Sequence, residues 1–427
     1  MKKRAVMSIA AGVVAAFALA ACSSGSGGSG TSGTGPITIW YSNNEQEVAW
    51  GKQMVAAWNS AHPDQQVTGQ EIPAGKSSEE VIGAAIAAGN APCLIYNTAP
   101  SAVGQFEKQG GLVDLSDYSD GASYIEARSG DTIAKQYQNA DGDYFQLPWK
   151  SNPVVIMYNK DVFAKAGLDP ENPKLSTYAD FLATSKTLVA KGGVQEAIWP
   201  APTSEFFQTQ FDFMPLYAAA TGGKGIVTDG KATFNDQAGY DVADFWAQMY
   251  TDKLAGQEQY QGDAFADGKA AMSIVGPWAV SVYKDVNWGS VPVPTKDGTD
   301  ASQTYTFSDA KNIGLYSACQ NRQTAWDLLK FSTSEEQDGK LLEMTGQMPL
   351  RTDLQTTYKA YFDKNPAYTQ FGDQAARTVE VPSGPNTVQE LQALRDAYSK
   401  SVIFGKEDVH QALDEAAAKV TEIASQP

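Results

Sequence analysis

The sequence predicts an α/β protein with two domains, and three observations lead to this prediction. The chain has 427 residues, which is too long for one ordinary hydrophobic core. Its 42% hydrophobic and 19% charged residues are typical of a folded protein rather than a disordered one. Short β-prone runs alternate with helical patterns from residue 37 onward, which is the order typical of parallel strands joined by helices.

The individual elements follow from periodicity and capping signals. Apolar or β-prone runs predict strands at 37–40, 67–72, 93–96, 153–158, 272–275 and 312–316. A helical pattern follows the first run and ends near Ser60, and Ser77-Ser78-Glu79-Glu80 has the spacing of a capping box that opens a second helix. One-sided apolar stripes predict further helices around Val242–Met249, and at the C-terminus through Val409, Leu413, Ala416, Val420 and Ile423.

The N-terminus indicates export and membrane anchoring. Lys2-Lys3-Arg4 is followed by the uncharged residues 5–21, a stretch shorter than the roughly 20 apolar residues of a membrane-spanning helix. Leu19-Ala20-Ala21-Cys22 resembles a bacterial lipobox, and residues rich in Gly and Ser follow it. We therefore predict a lipoprotein signal peptide at 1–21, lipidation of Cys22 with a flexible tether over 22–36, and a lipid-anchored location on the extracellular face of the cell membrane.

Charge and residue counts exclude several classes of function. The net charge is −17 with no basic stripe, so a nucleic acid partner is not expected. Only His62 and His410 are available for zinc sites or for Ser-His and Cys-His mechanisms. Gly75-Lys76-Ser77 ends like a P-loop, but Gln70 replaces the glycine that the motif needs. We predict no enzyme activity, no cofactor and no metal site, although paired carboxylates of a glycosidase carry no fixed spacing and stay open.

Aromatic residues are abundant at breaks between the predicted elements. Trp149 and Trp278 each follow a proline, and Trp199-Pro200 and the cluster of Phe206, Phe207, Phe211, Phe213 and Tyr217 are placed similarly. Flat rings stack on the apolar faces of sugar rings, while amides and carboxylates bind the hydroxyl groups. The pattern favours a sugar site, with core packing as the alternative for each residue. Trp50, Trp58, Trp246 and Trp326 lie in helical stretches and are assigned to packing.

Six motifs in order resemble the extracellular solute-binding proteins of ABC importers, in the carbohydrate-binding branch that includes maltose-binding protein. They are Ile37-Thr38-Ile39-Trp40-Tyr41-Ser42-Asn43, Ala91-Pro92-Cys93-Leu94-Ile95-Tyr96, Gln146-Leu147-Pro148-Trp149 with Met157-Tyr158-Asn159-Lys160-Asp161, Thr177-Tyr178-Ala179-Asp180-Phe181, Phe265-Ala266-Asp267-Gly268-Lys269-Ala270-Ala271-Met272 with Gly276-Pro277-Trp278, and Gly346-Gln347-Met348-Pro349-Leu350-Arg351. They follow one another in the family's order between residues 37 and 351.

The resemblance implies the two-lobe type II periplasmic-binding-protein fold, with a hinge and a ligand cleft between the lobes. Lobe one is expected at 37–150 plus 309–350, and lobe two at 151–308 plus 351–427. The implied function is to capture an oligosaccharide as a monomer and to deliver it to the permease subunits of an ABC importer. Closure of the lobes on the ligand is the expected hinge motion.

The resemblance also implies the site residues. Trp278 is the first candidate for a stacking platform, and Arg351 either bonds a hydroxyl or braces the last crossing between lobes. The full set expected to bind carbohydrate is Trp278, Tyr41, Asn43, Asn44, Glu45, Asn97, Thr98, Trp149, Lys150, Phe211, Tyr217, Asp309 and Arg351. The family usually has Asp where Cys93 stands, which favours a disulfide with Cys319 over two separate buried thiols.

Three alternatives remain at this stage. The first is a secreted glycoside hydrolase lipoprotein. The second is the same fold with a non-sugar cargo such as a polyamine, an anion or ferric iron, of which anions are disfavoured by the negative surface. The third is an adhesin without a small ligand, which the ordered motifs disfavour.

Overall fold

The computed structural model describes residues 32–42, 45–74, 77–200 and 209–426, and only the backbone of Glu45. Cys22, Asn43, Asn44 and the side chain of Glu45, which carry part of the predicted anchor and site, lie outside this description. No helix in the described ranges is long and apolar enough to cross a membrane.

The strands lie close to the predicted positions. They are β1 Ile37–Tyr41, β2 Val67–Glu71, β3 Leu94–Thr98, β4 Leu147–Ser151, β5 Val155–Asn159, β6 Glu196–Ile198, β7 Val227–Thr228, β8 Lys231–Ala232, β9 Ala270–Val275, β10 Trp288–Val291, β11 Thr306–Phe307, β12 Lys311–Leu315, β13 Met348–Pro349 and β14 Thr378–Val379. The six predicted strands correspond to β1, β2, β3, β5, β9 and β12.

Helices connect most of these strands. They are α1 Glu45–Ala61, α2 Ser78–Ala87, α3 Pro100–Lys108, α4 Gly121–Ser129, α5 Asp131–Ala134, α6 Lys160–Lys165, α7 Tyr178–Thr187, α8 Phe213–Thr221, α9 Gln237–Thr251, α10 Ala279–Val282, α11 Arg322–Ser332, α12 Glu335–Thr345, α13 Leu354–Thr357, α14 Lys359–Lys364, α15 Thr369–Gln374, α16 Thr387–Tyr398 and α17 Val409–Ala424. The Ser77 side chain accepts a hydrogen bond from the backbone N–H of Glu80, as the capping pattern predicts.

The first lobe is built on a six-stranded sheet with the order β13-β4-β12-β3-β1-β2. β1 pairs in parallel with β2 and β3, whereas β12 is antiparallel to both β3 and β4. The predicted parallel arrangement is therefore correct for the first three strands only. The other three carry the chain into or out of the second lobe, and the direction of that passage sets their orientation.

The second lobe is built on a four-stranded sheet with the order β10-β5-β9-β6. Its core packs the helices α7, α8, α9, α16 and α17 around β5, β6 and β9. Three chain segments, 152–154, 308–310 and 350–353, connect the two sheets. The first two pair with each other, since the N–H of Asn152 donates to the carbonyl of Ser308 at 2.7 Å and that of Val154 to Phe307 at 3.1 Å.

The lobes also touch outside these crossings. Gly104 of α3 lies against the backbone of Gly384, and a Cβ on Gly104 would overlap the Gly384 carbonyl group. The Gln136 side chain donates to the carbonyl of Thr378 at 3.3 Å and accepts from the N–H of Glu380 at 3.1 Å. Burial raises the pKa of the Glu380 carboxyl to about 7. These contacts hold the lobes together on the α3 side of the molecule.

The structure contains the disulfide between Cys93 and Cys319, with 4.6 Å between their Cα atoms. Cys93 directly precedes β3, and Cys319 lies in the turn after β12. Because β3 and β12 are neighbours in one sheet, the bond joins two stretches of the first lobe that are 226 residues apart in sequence. The disulfide that the sequence favours is therefore present in the structure.

Candidate ligand-binding site

The ends of several strands in each sheet lie on the side that faces the other sheet. In the first sheet, β1, β3 and β4 end and β12 begins at the same edge, with Asn312 opposite Thr98 and Lys311 opposite Lys150. In the second sheet, β9 ends beside the start of β5, with Val275 opposite Val155. Three residues separate β4 from β5, so these edges are at most about 14 Å apart along the chain. This is the position at which α/β folds bind ligands.

A cavity of about 290 Å³ opens at this edge of the second sheet. Aromatic and acidic residues form half of its lining, and small or aliphatic residues form the rest. The first half includes Trp199, Phe211, Tyr260, Tyr283, Asp212 and Asp263. Within the described part of the chain, no Lys, Arg or His lines it. Residues 201–208, which come between Pro200 and the described segment, contain no basic residue in the sequence either. The cavity therefore combines flat rings with two aspartates, of which Asp212 is wholly buried and Asp263 is partly exposed.

Trp278 lies beside this cavity, after the end of β9. The edge of the Phe211 ring meets Trp278 at a centroid distance of 6.1 Å, and Phe211 also meets Phe307 at 6.0 Å. Trp278 and Phe211 are half-buried, so part of each ring remains accessible. Phe307 lies at the second crossing and is buried, so it supports Phe211 from the hinge side without adding accessible surface.

Hydrogen bonds fix the polar groups of the cavity wall. The Tyr283 hydroxyl donates to Asp263 Oδ2 at 3.0 Å and lies 3.2 Å from the hydroxyl of Ser273. Asp263 Oδ1 accepts the backbone N–H groups of Phe265 and Ala266, both at 3.0 Å. Burial raises the pKa of Tyr283 well above its ordinary value, so its hydroxyl stays protonated and remains a donor at neutral pH.

The facing edge of the first lobe contains a buried polar network. Lys150 Nζ donates to Glu47 Oε1 at 2.7 Å, and Gln347 Nε2 donates to the same oxygen at 2.6 Å. Asn152 Nδ2 reaches Gln347 Oε1 at 3.4 Å, which extends the network to the first crossing. Burial alone would raise the pKa of Glu47, but the Lys150 ammonium and the hydrogen-bond donors outweigh it and lower the pKa.

Five predicted contact residues are not on the cleft surface. Tyr41 packs against Gly51 and Gly69 between α1 and β2, and Trp149 is buried between Trp50 and Tyr96. The remaining three are wholly or almost wholly buried: Lys150 in its ion pair, Thr98 beside the hydroxyl of Tyr316, and Tyr217 with its hydroxyl on the carbonyl of Thr233. In this structure each of them is covered by neighbours in space that the sequence does not show, so their role as ligand contacts stays a prediction without support from exposure.

Arg351 braces the third crossing, which was one of the two alternatives. Its guanidinium contacts Asp338 at 3.3 Å, Glu335 at 3.2 Å and Asp353 at 3.5 Å. Asn97 is half-buried at the end of β3 with φ of 66°, and Asp309 forms an ion pair with Lys311 at 2.9 Å at the second crossing. These last two residues remain predictions as ligand contacts.

The predicted set omitted several residues of the cavity wall. Trp199 is one of the loop aromatics of the sequence but not a member of that set, and Tyr260, Tyr283 and Asp263 are absent from it as well. The sequence signal that could have found Tyr260 is the one that identified Trp278, namely an aromatic residue at a break between predicted elements. Tyr260 lies in the stretch Gly256-Gln257-Glu258-Gln259-Tyr260-Gln261-Gly262, where no helical or strand period explains an aromatic residue.

Comparison with known proteins adds independent evidence. The diacetylchitobiose binding protein of Streptomyces coelicolor is 26% identical over 273 residues, which are 60% of this chain and 59% of that protein, so the match spans less than two thirds of that relative. An sn-glycerol-3-phosphate-binding periplasmic protein of Salmonella paratyphi A is 25% identical over 411 residues, 89% of this chain and 90% of that protein.

A solved structure and a family model complete the comparison. The cyclic alpha-maltosyl-1,6-maltose binding protein of Arthrobacter globiformis superimposes with a TM-score of 0.78 at 19% identity, over 92% of this chain and 99% of that one. This similarity supports the two-lobe fold. The model of the bacterial extracellular solute-binding protein family matches residues 42–339. The chain belongs to the bacterial extracellular solute-binding proteins.

Proposed function

We propose that this protein captures an oligosaccharide in the cleft between its lobes and delivers it to the permease subunits of an ABC importer. The observation that carries the proposal is the cavity beside Trp278, where aromatic rings and carboxylates surround a space of about 290 Å³. Aromatic faces suit the apolar faces of pyranose rings, and carboxylates accept hydrogen bonds from hydroxyl groups. The name of the diacetylchitobiose binding relative agrees with a sugar cargo.

A polyol phosphate is the second candidate, because relatives that match almost the whole chain are named for sn-glycerol-3-phosphate. A phosphate group needs cations or several N–H donors around it. Asp212 and Asp263 line the cavity instead, with no basic side chain among its described residues. Lys150 is engaged by Glu47 and Lys311 by Asp309, so neither is a ready phosphate ligand. A neutral sugar is therefore the better fit.

In this proposal one lobe comprises 37–150 with 309–350, and the other comprises 151–308 with 351–427. The protein is a monomer, and its two lobes close on the ligand. Trp278 and Phe211 supply stacking surface, and Asn97 and Asp309 supply polar contacts at the hinge side. Asn43, Asn44 and Glu45 are proposed from the sequence alone, as residues that follow β1 along the chain. The protein performs no chemistry on the sugar. Hydrolysis of the sugar would overturn this statement and would identify the protein as a glycoside hydrolase.

The test is a melting experiment on the full chain purified in mild detergent, with a panel of oligosaccharides of varied linkage and with sn-glycerol 3-phosphate. A ligand that binds only the folded state adds about 2.7 kcal/mol of stability at a hundredfold excess over its dissociation constant. We expect a higher midpoint with one linkage class and recovery of that sugar uncut. A shift only with the phosphate would establish the second candidate, and recovered fragments would establish an enzyme.

Trp278→Ala is expected to leave the fold intact and to weaken sugar binding at least about tenfold, the scale of a binding hot spot. The matched control is Trp288→Ala. Trp288 is also half-buried and packs in the same hydrophobic cluster, but it pairs with Asn159 at the opposite end of the second sheet. Titration calorimetry gives both dissociation constants. Equal affinities for the two variants would remove Trp278 from the site.

We further propose that lipidated Cys22 anchors the protein to the extracellular face of the membrane through the tether 22–36. The support is the sequence Leu19-Ala20-Ala21-Cys22 and the Gly/Ser-rich stretch that follows it. Cys22→Ala is expected to move the protein from the membrane fraction to the medium, as measured by immunoblotting after fractionation. Continued presence in the membrane fraction would contradict a lipid anchor at this residue.

A further inference from the structure

Two glycines lie directly beneath the two tryptophans at the cavity. A Cβ on Gly276 would overlap the six-membered ring of Trp278, with its Cη2 only 2.6 Å away. A Cβ on Gly256 would overlap the indole of Trp199 in the same way, with Cδ1 at 2.5 Å. Cβ atoms essentially never approach other heavy atoms this closely, so each indole occupies the space that any other residue's side chain would need.

The surrounding contacts hold the Trp199 ring against Gly256. The Nε1 of Trp199 donates to the carbonyl of Glu258 at 2.7 Å, and its ring contacts Tyr260 at a centroid distance of 5.2 Å. The backbone N–H of Gly256 donates to the carbonyl of Ile198, the residue before Trp199, at 3.2 Å. The indole, the glycine and the strand end are thus fixed to one another.

The same arrangement recurs at the neighbouring strand. β6 and β9 are parallel neighbours with Ile198 opposite Met272, so Trp199 and Trp278 both follow strand ends at one edge of the second sheet. Phe211 lines the cavity together with Trp199 and contacts Trp278 with its edge. Both tryptophans are half-buried, so one part of each ring faces its glycine while another remains accessible.

We infer that Gly256 and Gly276 are positioning residues that set Trp199 and Trp278 as a pair of aromatic platforms for the ligand. The inference rests on the proposed function for the identity of the ligand, and it adds Trp199 to the binding residues. Each glycine acts only through its own indole. Substitution of the glycine therefore displaces the indole and weakens its stacking on the sugar, although the glycine itself does not contact the sugar.

The test is a pair of double-mutant cycles on the full chain in detergent, with the sugar that gives the largest melting shift. Gly276→Ala is expected to weaken binding about tenfold in the wild type and to change nothing in the Trp278→Ala background. Gly256→Ala should behave in the same way with respect to Trp199→Ala. Gly83→Ala in α2 is the control, because its added Cβ would meet only the Phe106 ring at 3.7 Å, an ordinary contact.

Near-ultraviolet circular dichroism and the melting midpoint provide readouts that need no ligand. Gly276→Ala should alter the tryptophan bands and lower the midpoint, and Trp278→Ala should abolish both effects because it removes the overlapping ring. Unchanged affinity and spectra in the glycine variants would overturn the inference, as would equal losses in the tryptophan-to-alanine background. If no panel member binds the wild type, the proposed function fails, while the spectroscopic cycle still decides the role of the glycines.

Discussion

Removal of the Cys93–Cys319 bond is expected to lower the free energy of unfolding by about 4 kcal/mol. A cross-link stabilises chiefly by restricting the unfolded chain, and the effect grows with the length of the closed loop. Here the loop spans 226 residues, and the bond joins two separate stretches that build one sheet. Without the bond, the segments that form β3 and β12 can move far apart in the unfolded chain, which raises the entropy of the unfolded state.

Urea unfolding of the wild type and of Cys93→Ala/Cys319→Ala measures this loss, with m-values checked for equality. Both cysteines are buried, so the double variant also loses packing. Wild-type protein treated with a reductant is therefore the matched control, since it loses the bond and keeps both sulfur atoms. If the reduced protein unfolds at the same urea concentration as the oxidised one, the bond contributes nothing to stability.

Arg128→Met is expected to cost about 3–5 kcal/mol, because it leaves a buried charge without its main partner. The guanidinium of Arg128 donates to both carboxylate oxygens of Asp338, at 3.0 and 2.9 Å. It also donates to the carbonyls of Pro148, Trp149 and Leu350 at 2.7 to 2.9 Å. These carbonyls lie in β4 and at the third crossing, so one side chain fixes both beside α12.

The Asp338 carboxyl explains why the loss is large. The residue is fully buried, and burial raises its pKa to about 6 even with Arg128 and Arg351 beside it. Lys340→Met is the matched control, since its ion pair with Glu336 is exposed and worth well under 1 kcal/mol. Urea unfolding compares the two variants. A loss below about 1 kcal/mol for Arg128→Met would show that the buried pair is not a major source of stability.

Adding Asp338→Asn to Arg128→Met should recover part of the loss at pH 8, because the double variant no longer buries a carboxylate that keeps only its weaker partner, Arg351. The recovery should shrink as the pH falls, because the Asp338 carboxyl of the single variant then takes up a proton and loses its charge. This should happen above the pH of about 6 that applies beside Arg128, since Arg128 lowers the pKa of Asp338 and the single variant lacks it. A double variant that is no more stable than the single one at pH 8 would assign the cost to the three carbonyls instead.

Much of the local structure could be predicted from the sequence. Strands with β-prone runs, the Ser77 cap and the one-sided helices appear where the patterns indicate them, because each depends on residues within a few positions of one another. The assignment of Trp50, Trp58, Trp246 and Trp326 to packing is also confirmed, since helical periodicity alone places them on an inward face. The order of six motifs was sufficient for the family and the two-lobe fold.

The candidate site was predictable only in part. The sequence correctly places four tryptophans in helices, but Phe213 and Tyr217, which it assigns to a break, lie in α8. It also treats Trp149 and Trp278 alike because both follow a proline, although Trp149 lies in β4. The structure covers Trp149 with Trp50 and Tyr96, whereas Trp278 lies half-exposed over Gly276. Accessibility depends on which elements pack above a residue, and those elements are distant in sequence.

The sequence by itself determined the compartment signals, the strands and helices, the family and the cysteines available for pairing. Only the tertiary structure decided which polar and aromatic residues reach the cleft. Lys150 meets Glu47 across 103 residues, and Trp199 rests on Gly256, from which α8 and α9 separate it along the chain. Local patterns reflect interactions between near neighbours, whereas a binding surface is what remains after distant segments have packed and satisfied one another's groups.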